Sequence, residues 1–545
     1  MDPFKVTTSL EQAFPNKKTS DWKLAFLLTL PVIFFVLAYY LKAGDRIAPG
    51  FLQYDNITYI AYAKQYSDAD GFSLFYSNPF NESKNYSSIY FQIQNFLFLF
   101  LYWIGIPQGI VLICFTLVFS FITLNIIIRI FDHLSPTSRN RFLLITLFSW
   151  GGGLLTLAGT TGLKFIPVDG IDIWDRLFVI DPGSGWWGLN LGRSLIFSTE
   201  AYYHALFFGG ILCILKKKWK TAGVLALLIF LSHPYTGVEY LSIIVFWVFI
   251  EIIIKKNREI PLWFGLFNLG ILILHIYYYI IFLNQFADHR SVHDQCSLDI
   301  IVPYYTFIAA YCLVGLFALL RFISKPLRVF FASSENTLFL SWFFIVFLLI
   351  NHELFMKAME PVHFTRGYEW SSLFILGLPA LERFLNYLKK KSKFILLPLC
   401  CVVFLNDNIL WLINYSRPAS LTQLSVYISK EQKDVLNWLE KNTDNSSLVI
   451  SGDNQISILS TAYTKAYPWT SHNLATPFLE HKQKAYENFI NNKVIDSVWY
   501  DRDALFILNE TNSAEKNRAP DLPFKADTII QIKQYMIIRS YLLKK

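Results

Sequence analysis

Long apolar runs recur along this chain and constrain its fold more than any other feature. They begin near residue 23 and continue to about residue 413 of the 545 residues. A run of about 20 apolar residues is long enough to cross the hydrocarbon core of a bilayer as a helix. The composition agrees, because only 16% of the residues are charged and the mean hydropathy is +0.38. We therefore predict an all-α polytopic membrane bundle.

Loops rich in Lys and Arg alternate with loops rich in acids, His and aromatic residues. Lys and Arg in short loops mark the cytoplasmic side of a membrane, and clusters such as 216–220 and 383–393 are of this kind. The alternation predicts about eleven spans, with the N-terminus in the cytoplasm and the C-terminus outside. The predicted spans are 23–41, 108–128, 142–160, 195–215, 220–234, 236–254, 261–283, 301–320, 336–353, 369–386 and 394–413.

Two segments do not fit simple spans. Residues 89–105 are apolar enough to cross, but a crossing there would invert every later loop against the positive charges. We expect this segment to lie along the outer surface or to be re-entrant. Pro234 separates two short spans, and proline removes a helix hydrogen bond. Such a break is tolerated only where it is buried in protein or lines a cavity.

The composition changes after residue 413. The stretch 428–442 has the pattern of an amphipathic helix, and 447–452, 504–509 and 527–540 have that of strands. We predict a membrane domain over 1–413, whose first outer loop is 42–107, and a small extracytoplasmic α/β domain over 414–545.

Several classes of protein are disfavoured. The net charge of +8 does not indicate a nucleic-acid partner, because the positive residues lie in short loops between apolar runs. The six cysteines form no disulfide framework and no CxxC motif. No Gly-rich nucleotide loop is present. The first span follows no small-residue cleavage site and is expected to be a retained anchor.

An acidic residue opens the first outer loop. Asp55, Tyr59 and Tyr62 are four and three residues apart and share one face of a helix. A carboxylate at the membrane surface can act as a general base on an acceptor hydroxyl or amine, with the tyrosines beside a sugar. Two other interpretations are an N-cap formed by Asp55 and an amphipathic helix lying on the membrane.

This layout resembles the C-type (GT-C) glycosyltransferases, in which an acidic residue, surface helices and then the second span follow the first span. Asp55 falls where the catalytic aspartate of that family belongs, and 76–94 resembles the second half of its loop. The resemblance implies transfer of a sugar from a polyprenyl-phosphate donor to a glycan, lipid or protein acceptor. The second acid that many members carry is missing, because Asn56 follows Asp55. No metal ligand is assigned, and the resemblance leaves open whether a divalent metal is used.

The second outer loop, 164–193, is rich in acids and tryptophan. Asp172 is a candidate sugar contact. The tryptophans of this loop are candidates too, because aromatic rings present a rigid apolar face: Trp174, Trp186 and Trp187. An interfacial aromatic belt with a solvated turn is an equal alternative.

Ionisable residues also lie within or beside spans, where they are costly and often functional. Glu200 and His204 are one helical turn apart, and His233 stands at the proline break. We interpret all three as candidate substrate contacts. The alternatives are a mutual hydrogen bond between Glu200 and His204, and a cap for the break formed by His233.

Two arginines are candidates for holding the donor phosphate. A guanidinium makes bidentate, charge-assisted bonds to phosphate. Arg366 lies on the predicted outer side, where the positive-inside rule does not account for an arginine. His363 could assist it and Glu369 could orient it. Arg290 is the second candidate, within the motif 288–296 that also resembles a set of metal ligands or a solvated loop.

Other functions remain open at this point. A transporter or flippase would also place polar residues and broken helices in its spans, and a non-catalytic scaffold is a third class. The compact loops fit a bacterial inner membrane, although a eukaryotic reticulum membrane would show the same pattern.

Overall fold

The computed structural model describes residues 21–68, 71–82, 87–162, 172–182, 185–296, 300–324, 326–392, 394–500, 502–512, 515 and 527–540. Two segments used in the sequence argument, the N-terminal residues 1–20 and residues 163–171 of the second outer loop, lie outside this set. The α-helices are α1 Asp21–Leu41, α2 Asn56–Gln65, α3 Ile93–Trp103, α4 Gln108–Leu134, α5 Arg141–Trp150, α6 Leu155–Gly162, α7 Ile173–Leu177, α8 Leu191–Ser194, α9 Ser198–Leu215, α10 Trp219–Phe230, α11 Pro234–Phe249, α12 Leu262–Ile276, α13 Ala287–Cys296, α14 Tyr304–Ile323, α15 Leu327–Ala332, α16 Ser334–Ile350, α17 Tyr368–Ser392, α18 Leu396–Tyr415, α19 Pro418–Leu424, α20 Lys430–Asn442, α21 Asn454–Tyr463 and α22 Leu479–Asn492.

Each predicted span falls on one of these helices or on a helix pair. Within the described residues, six helices are long and apolar enough to cross a membrane, and the bent pair α5 and α6 makes a seventh if it counts as one span. These six are α1, α4, α11 with its π-helical end, α12 with its helical extension, α14 and α18. The polytopic helical fold is confirmed, and the number eleven stays a prediction.

The predicted span 142–160 is broken instead of straight. The axes of α5 and α6 differ by 59°, and Gly153 in the break has a positive φ of 86°. Asp407 of α18 accepts hydrogen bonds from the backbone N–H groups of Leu155 (2.9 Å) and Thr156 (2.8 Å). A carboxylate there satisfies orphan donors at a helix N-terminus and complements its dipole.

The next residue of α18, Asn408, satisfies the helix end on the other side of the break. Asn408 donates from Nδ2 to the carbonyl oxygens of Trp150 (3.0 Å) and Gly151 (3.1 Å), at the end of α5. An acid followed by an amide therefore satisfies both broken helix ends, as backbone inside a membrane requires.

The predicted break at the proline is confirmed. Helix α10 ends at Phe230 and α11 begins at Pro234, with His233 as its N-cap.

The segment predicted not to cross the membrane forms α3, which has 11 residues. At 1.5 Å per residue this helix is about 16 Å long, roughly half of the hydrocarbon core.

A small mixed α/β unit follows α18. Its five-stranded sheet has the order β4-β3-β5-β7-β6, with β3 parallel to β4 and β5 and the remaining pairs antiparallel. The strands are β3 Ser447–Ser451, β4 Tyr467–Pro468, β5 Asp503–Asn509, β6 Thr528–Ile532 and β7 Tyr535–Ser540; a short hairpin of the first outer loop supplies β1 Ser67–Asp68 and β2 Gly71–Phe72. The predicted helix and strands are therefore present. The domain boundary at residue 413 stays a prediction, and α18 extends two residues beyond it.

This C-terminal unit (residues 418–540) packs on the first outer loop. Val426 N–H donates to the carbonyl of Phe51 at 3.0 Å. The ammonium of Lys64 on α2 donates to the carbonyl oxygens of Ala462 (3.1 Å) and Thr464 (2.6 Å), at the end of α21. A cation suits a helix C-terminus, and burial lowers the pKa of Lys64 to about 8. Helix α2 is thereby held beside the C-terminal unit.

Candidate functional site

Asp55 lies at the N-cap position of α2 but does not cap it, because its side chain accepts no bond from the helix backbone. Its Oδ1 is 2.7 Å from Nε2 of His472, and its Oδ2 accepts from Nε2 of Gln53 at 3.2 Å. The side chain is 47% exposed. The N-cap interpretation is therefore wrong, and the carboxylate is held from the side with room for a further ligand.

The tyrosines of α2 have different surroundings. Tyr66 is fully buried and donates to the carbonyl of Gln92 at 3.1 Å, so it belongs to the core. Tyr62 is half-buried against the rings of Tyr76 and Phe80. Tyr59, one turn from Asp55, bonds through its hydroxyl to Thr199, the neighbour of Glu200.

Arg366 is the centre of a buried polar group. It is 2% exposed, it forms an ion pair with Glu200 of α9, and its Nε donates to the carbonyl of His363 at 2.7 Å. Its Nη2 is 3.5 Å from Nε2 of His233, and its guanidinium lies 5.0 Å from the centre of the Trp187 ring. Four sequence-distant segments therefore meet at this arginine.

The backbone at Arg366 is held in an unusual conformation. Arg366 and Gly367 both have positive φ, 32° and 69°. The N–H of Gly367 donates to the carbonyl of Gly188 at 2.5 Å, and a Cβ there would meet backbone N of Leu191 at 2.6 Å. His204 lies between two carbonyl oxygens, Nδ1 2.5 Å from that of Glu200 and Nε2 2.7 Å from that of Arg366. The strain expected of such residues is compensated by these bonds.

His233 forms the predicted cap of the helix break, and its role as a substrate contact stays a prediction. Its Nδ1 accepts from the N–H of Thr236 at 3.2 Å and so caps α11. Its Nε2 faces Arg366, and its ring packs 4.4 Å from that of Tyr203.

A second layer of polar residues covers Arg366. Glu360 Oε2 is 3.0 Å from Nδ1 of His363 and accepts from the hydroxyl of Tyr235 at 3.0 Å. The pKa of Glu360 is raised to about 7, mainly by burial and slightly by the charge of Asp55, while the hydrogen bond from Tyr235 and the charge of Arg366 oppose the rise. Burial, reinforced by Arg366, lowers the pKa of His363 to about 3, and Asp55 opposes that fall.

Asp55 and Arg366 therefore act on the same residues. The charges of both influence Glu360 and His363. Both also influence Tyr59, whose pKa rises to about 12, mainly through burial, although its hydroxyl is bonded to Thr199. The hydroxyl of Ser198, at the start of α9, also donates to Oδ1 of Asn56 at 3.4 Å, so the start of α2 lies beside the helix whose Glu200 pairs with Arg366.

Three predicted residues lie elsewhere. Asp172 is exposed and pairs with Arg417 at 2.7 Å, and the guanidinium of Arg417 lies 5.2 Å from the ring centre of Trp174. Arg290, on α13, donates to the carbonyl oxygens of Asn284 (2.9 Å) and Gln285 (3.3 Å). None of these contacts involves Arg366 or Asp55.

Glu369 is buried in the first turn of α17, and neither of its carboxylate oxygens has a hydrogen-bond partner within the part of the chain that the structure describes. The same holds for Glu239 of α11. The expected role of Glu369 in orienting Arg366 falls to Glu200, which makes the ion pair.

Comparisons with known proteins bear on the fold. No protein-family model matches the sequence, and no match is found among curated proteins. The structure is similar to that of the oligosaccharyltransferase of Archaeoglobus fulgidus in complex with zinc and sulfate, with a TM-score of 0.50 and 11% identity over 92% of this chain and 70% of that chain. The chain has the GT-C fold. A weaker similarity, with a TM-score of 0.46 and 8% identity over 94% of this chain and 98% of the other, is to ArnT from Cupriavidus metallidurans bound to undecaprenyl phosphate.

On this GT-C fold, the residues around Asp55 do not match a metal site. Within the described ranges, no group of three or more His, Cys, Asp or Glu side chains is arranged to hold a metal ion. The motif 288–296 is dispersed: Nδ1 of His289 bonds to the hydroxyl of Tyr90 at 3.0 Å, and Asp288 accepts from Asn81 at 3.2 Å. We therefore derive no step through a metal.

Three residues around Asp55 and Arg366 were not predicted. His472 comes from the C-terminal unit, 417 positions from Asp55, and no local pattern marks it. Tyr235 and Glu360 bond to each other across 125 positions. Trp187 was predicted as a sugar contact together with the other tryptophans of the second outer loop, and its ring lies against the guanidinium of Arg366. A signal was present for Glu360, because it opens the same short segment as His363 and Arg366.

Proposed function

We propose that this protein is an integral membrane glycosyltransferase that moves a sugar from a polyprenyl-phosphate donor to an acceptor at the extracytoplasmic face. The observation that carries the proposal is that one end of the bundle brings together a half-exposed carboxylate, Asp55, and a buried guanidinium, Arg366. The hydrogen bond of Asn56 with Ser198 joins the start of α2 to the start of α9, whose Glu200 pairs with Arg366. A base and a phosphate-binding cation next to one polar region are what this reaction needs.

Arg366 would bind the donor phosphate. A guanidinium has five N–H donors. Within the described residues, the guanidinium of Arg366 makes polar contacts with Glu200, His363 and His233. The contact to His233, at 3.5 Å, is long, so the Nη2 edge is the part most easily given to a phosphate oxygen. Trp187 would shield that edge from water, because its ring lies against the guanidinium.

Glu200 would keep Arg366 in place before the donor binds. An unpaired guanidinium is very costly away from water, and the ion pair removes most of that cost. The phosphate then competes with one carboxylate instead of with bulk water. His204 fixes the backbone on both sides of this pair through its two carbonyl contacts.

Asp55 would act on the acceptor. Its carboxylate is half exposed, whereas those of Glu200, Glu360 and Glu369 are buried. As the acceptor oxygen or nitrogen bonds to the anomeric carbon, the bond from that carbon to the donor phosphate breaks. The proton passes to Asp55, and the lipid phosphate leaves with its electron pair, held by Arg366. The enzyme mainly positions the partners, because phosphate is already a good leaving group.

The lipid tail of the donor needs an apolar path. A groove of about 530 Å³ runs between α14, α16 and α17, and α17 begins two residues after Arg366. Its lining is apolar and includes Phe307, Leu340 and Leu373. This groove is where we place the isoprenoid chain.

The positive loops support the orientation. The lysines at 216–218 end α9, and those at 389–391 end α17, at the opposite ends from Glu200 and Glu369. Under the positive-inside rule these ends are cytoplasmic. Asp55, Arg366 and the C-terminal unit would then be extracytoplasmic.

A transporter of a lipid-linked substrate is the second candidate. It is favoured by Glu239 and Glu369, buried carboxylates with no hydrogen-bond partner among the described residues. A transporter would move its substrate without any covalent product, which a complementation experiment detects.

The test compares cells lacking this gene that receive either the parent chain or Asp55→Asn. Mass spectrometry profiles their surface glycans and lipid-linked sugars. We expect Asp55→Asn to lower the glycan product by about 100-fold or more, with an unchanged amount of protein. An unchanged product would remove Asp55 as the base. A labelled substrate that crosses the membrane without forming a covalent product would favour transport.

A further inference from the structure

The C-terminal unit contributes a side chain to the region around Asp55. His472 belongs to the segment 469–478 that follows β4, and it is buried, with its side chain 9% exposed against 47% for Asp55. Its ring lies 5.4 Å from that of Tyr54, nearly parallel. Its Nε2 is 2.7 Å from Oδ1 of Asp55.

The other ring nitrogen defines the tautomer. The backbone N–H of Leu474 donates to Nδ1 of His472 at 3.2 Å, so Nδ1 presents a lone pair and carries no proton. In a neutral imidazole the proton is then on Nε2. His472 therefore donates to Asp55, and Asp55 is the acceptor in this bond.

This arrangement distinguishes the general base, Asp55, from the residue that holds it, His472. A histidine base would need a free lone pair at the substrate side, but the lone pair of His472 is used by Leu474 and its N–H by Asp55. Asp55 keeps lone pairs on both oxygens and the exposed position. A bond from a neutral donor to a carboxylate also fixes its direction.

We propose that His472 is a positioning residue for Asp55, so that the C-terminal unit completes the site of transfer. This inference rests on the proposed function. The imidazole fixes the plane of the carboxylate and leaves its remaining lone pairs directed to the acceptor. Gln53, at 3.2 Å from Oδ2, fixes the other side.

The segment that carries His472 is held by contacts of its own. Asn78 of the first outer loop donates to the carbonyl of Ala475 at 2.9 Å. Ser291 accepts from the N–H of Phe478 at 2.7 Å. Loss of the imidazole therefore removes the bond to Asp55 without releasing the segment, and the positioning role can be tested separately from docking.

The experiment uses the full-length chain in the same complementation assay, with thermal unfolding and binding of undecaprenyl phosphate measured on purified protein. His472→Phe keeps a ring beside Tyr54 and removes the donor. We expect it to lower the product about tenfold or more, with the affinity for undecaprenyl phosphate within about twofold. His472→Gln, which offers an N–H at a similar reach, should recover at least about a third of the product.

Ser291→Ala is the matched control, because it loosens the same segment without touching Asp55 or Arg366. It should retain the product. The double variant Asp55→Asn with His472→Phe should be no worse than Asp55→Asn alone.

If Asp55→Asn abolishes the product and His472→Phe leaves it intact, the positioning role is wrong and the proposed function stands. If Asp55→Asn leaves the product intact, the proposed function itself fails. If His472→Phe is unstable, the Gln variant decides: a stable protein with the product still lost by tenfold contradicts the proposal.

Discussion

Two arginines of the described helical bundle are almost fully buried, and they have different surroundings. Arg366 is 2% exposed and Arg193 is 0% exposed. Each pairs with a carboxylate, Glu200 for the first and Asp181 for the second. Each also lies over an aromatic ring, at 5.0 Å from Trp187 and 5.8 Å from Trp411. By burial and pairing alone they look equivalent.

The other neighbours of the two arginines distinguish Arg193 from Arg366. Arg193 donates from Nε to Asn408 at 3.3 Å and from Nη1 to the carbonyl of Trp186 at 3.2 Å. Asn408 is the residue that satisfies the end of α5 at the broken span. Arg193 thus belongs to a network of amides and backbone groups that holds a helix break together.

Arg366 is surrounded instead by groups that can change charge or partner. The imidazole of His233 lies 3.5 Å from its Nη2, and the backbone carbonyl of His363 accepts from its Nε. The imidazole of His363 in turn contacts the carboxyl of Glu360 at 3.0 Å. The lesson is that a buried ion pair is not by itself a sign of function. What distinguishes a candidate site is the titratable chemistry around the pair and the exposed acid at its edge.

The largest expected effect is on the structural arginine. Arg193→Met leaves Asp181 buried without its cation, which should cost about 3–5 kcal/mol of stability. We expect loss of the monodisperse protein peak on gel filtration in detergent and a large fall in the apparent unfolding temperature. Asp181→Asn combined with Arg193→Met should recover much of that stability, because no charge is left unpaired. Equal damage from the single and the double variant would contradict the assigned role.

The corresponding double variant at the other arginine should also stay folded, but it should lose binding of the lipid phosphate. Glu200→Gln with Arg366→Gln removes both charges, so the protein should remain folded with an apparent unfolding temperature near that of the parent. Its affinity for undecaprenyl phosphate should fall by about tenfold or more, since a charge-assisted pair to phosphate is lost. A folded double variant that binds this lipid normally would remove Arg366 from the phosphate site.

Glu360 should make stability depend on pH. Its pKa in the folded protein is raised to about 7 from a usual value near 4.5, so the folded state holds the extra proton between these values. Stability then falls as the pH rises from about 4.5 to about 7. Glu360→Gln should unfold at a higher temperature than the parent above pH 7, and the difference should vanish below about pH 4.5. The same difference at all pH values would show that burial does not disfavour this carboxylate.

The smallest effect is expected at the second outer loop. Arg417 lowers the pKa of Asp172 through a hydrogen bond, but both side chains are substantially exposed, at 46% for Asp172 and 31% for Arg417. Exposed pairs contribute little to stability. Asp172→Asn should therefore leave the unfolding temperature and the glycan product unchanged within error. A tenfold loss of product from this variant would bring Asp172 and Trp174 into the site after all.

The sequence allowed the spans to be predicted because hydropathy and loop charge act locally. It also marked Asp55, Glu200, His204, His233, His363 and Arg366, since charged residues near apolar runs are conspicuous. Arg193 is as deeply buried as Arg366, but in the sequence it precedes a predicted span as an ordinary flanking arginine. The break between α5 and α6 is also hidden in the sequence: its three glycines continue an apolar run, and its partners lie about 250 residues away.

His472 could not be found from the sequence at all. Its role depends on how the C-terminal unit docks on the first outer loop, and no periodicity reports docking. For the same reason, the sequence suggested Arg290 as a second phosphate ligand, whereas the structure puts its guanidinium on the carbonyl oxygens of Asn284 and Gln285.

Structure determination of the full-length protein with undecaprenyl phosphate in a lipid nanodisc tests the central claim most directly. We expect phosphate density about 3 Å from the guanidinium of Arg366, at the Nη2 edge that faces His233, with the isoprenoid chain between α14 and α17. A phosphate bound at Arg290, or on the membrane face opposite Asp55, would contradict the placement on which the proposed reaction depends.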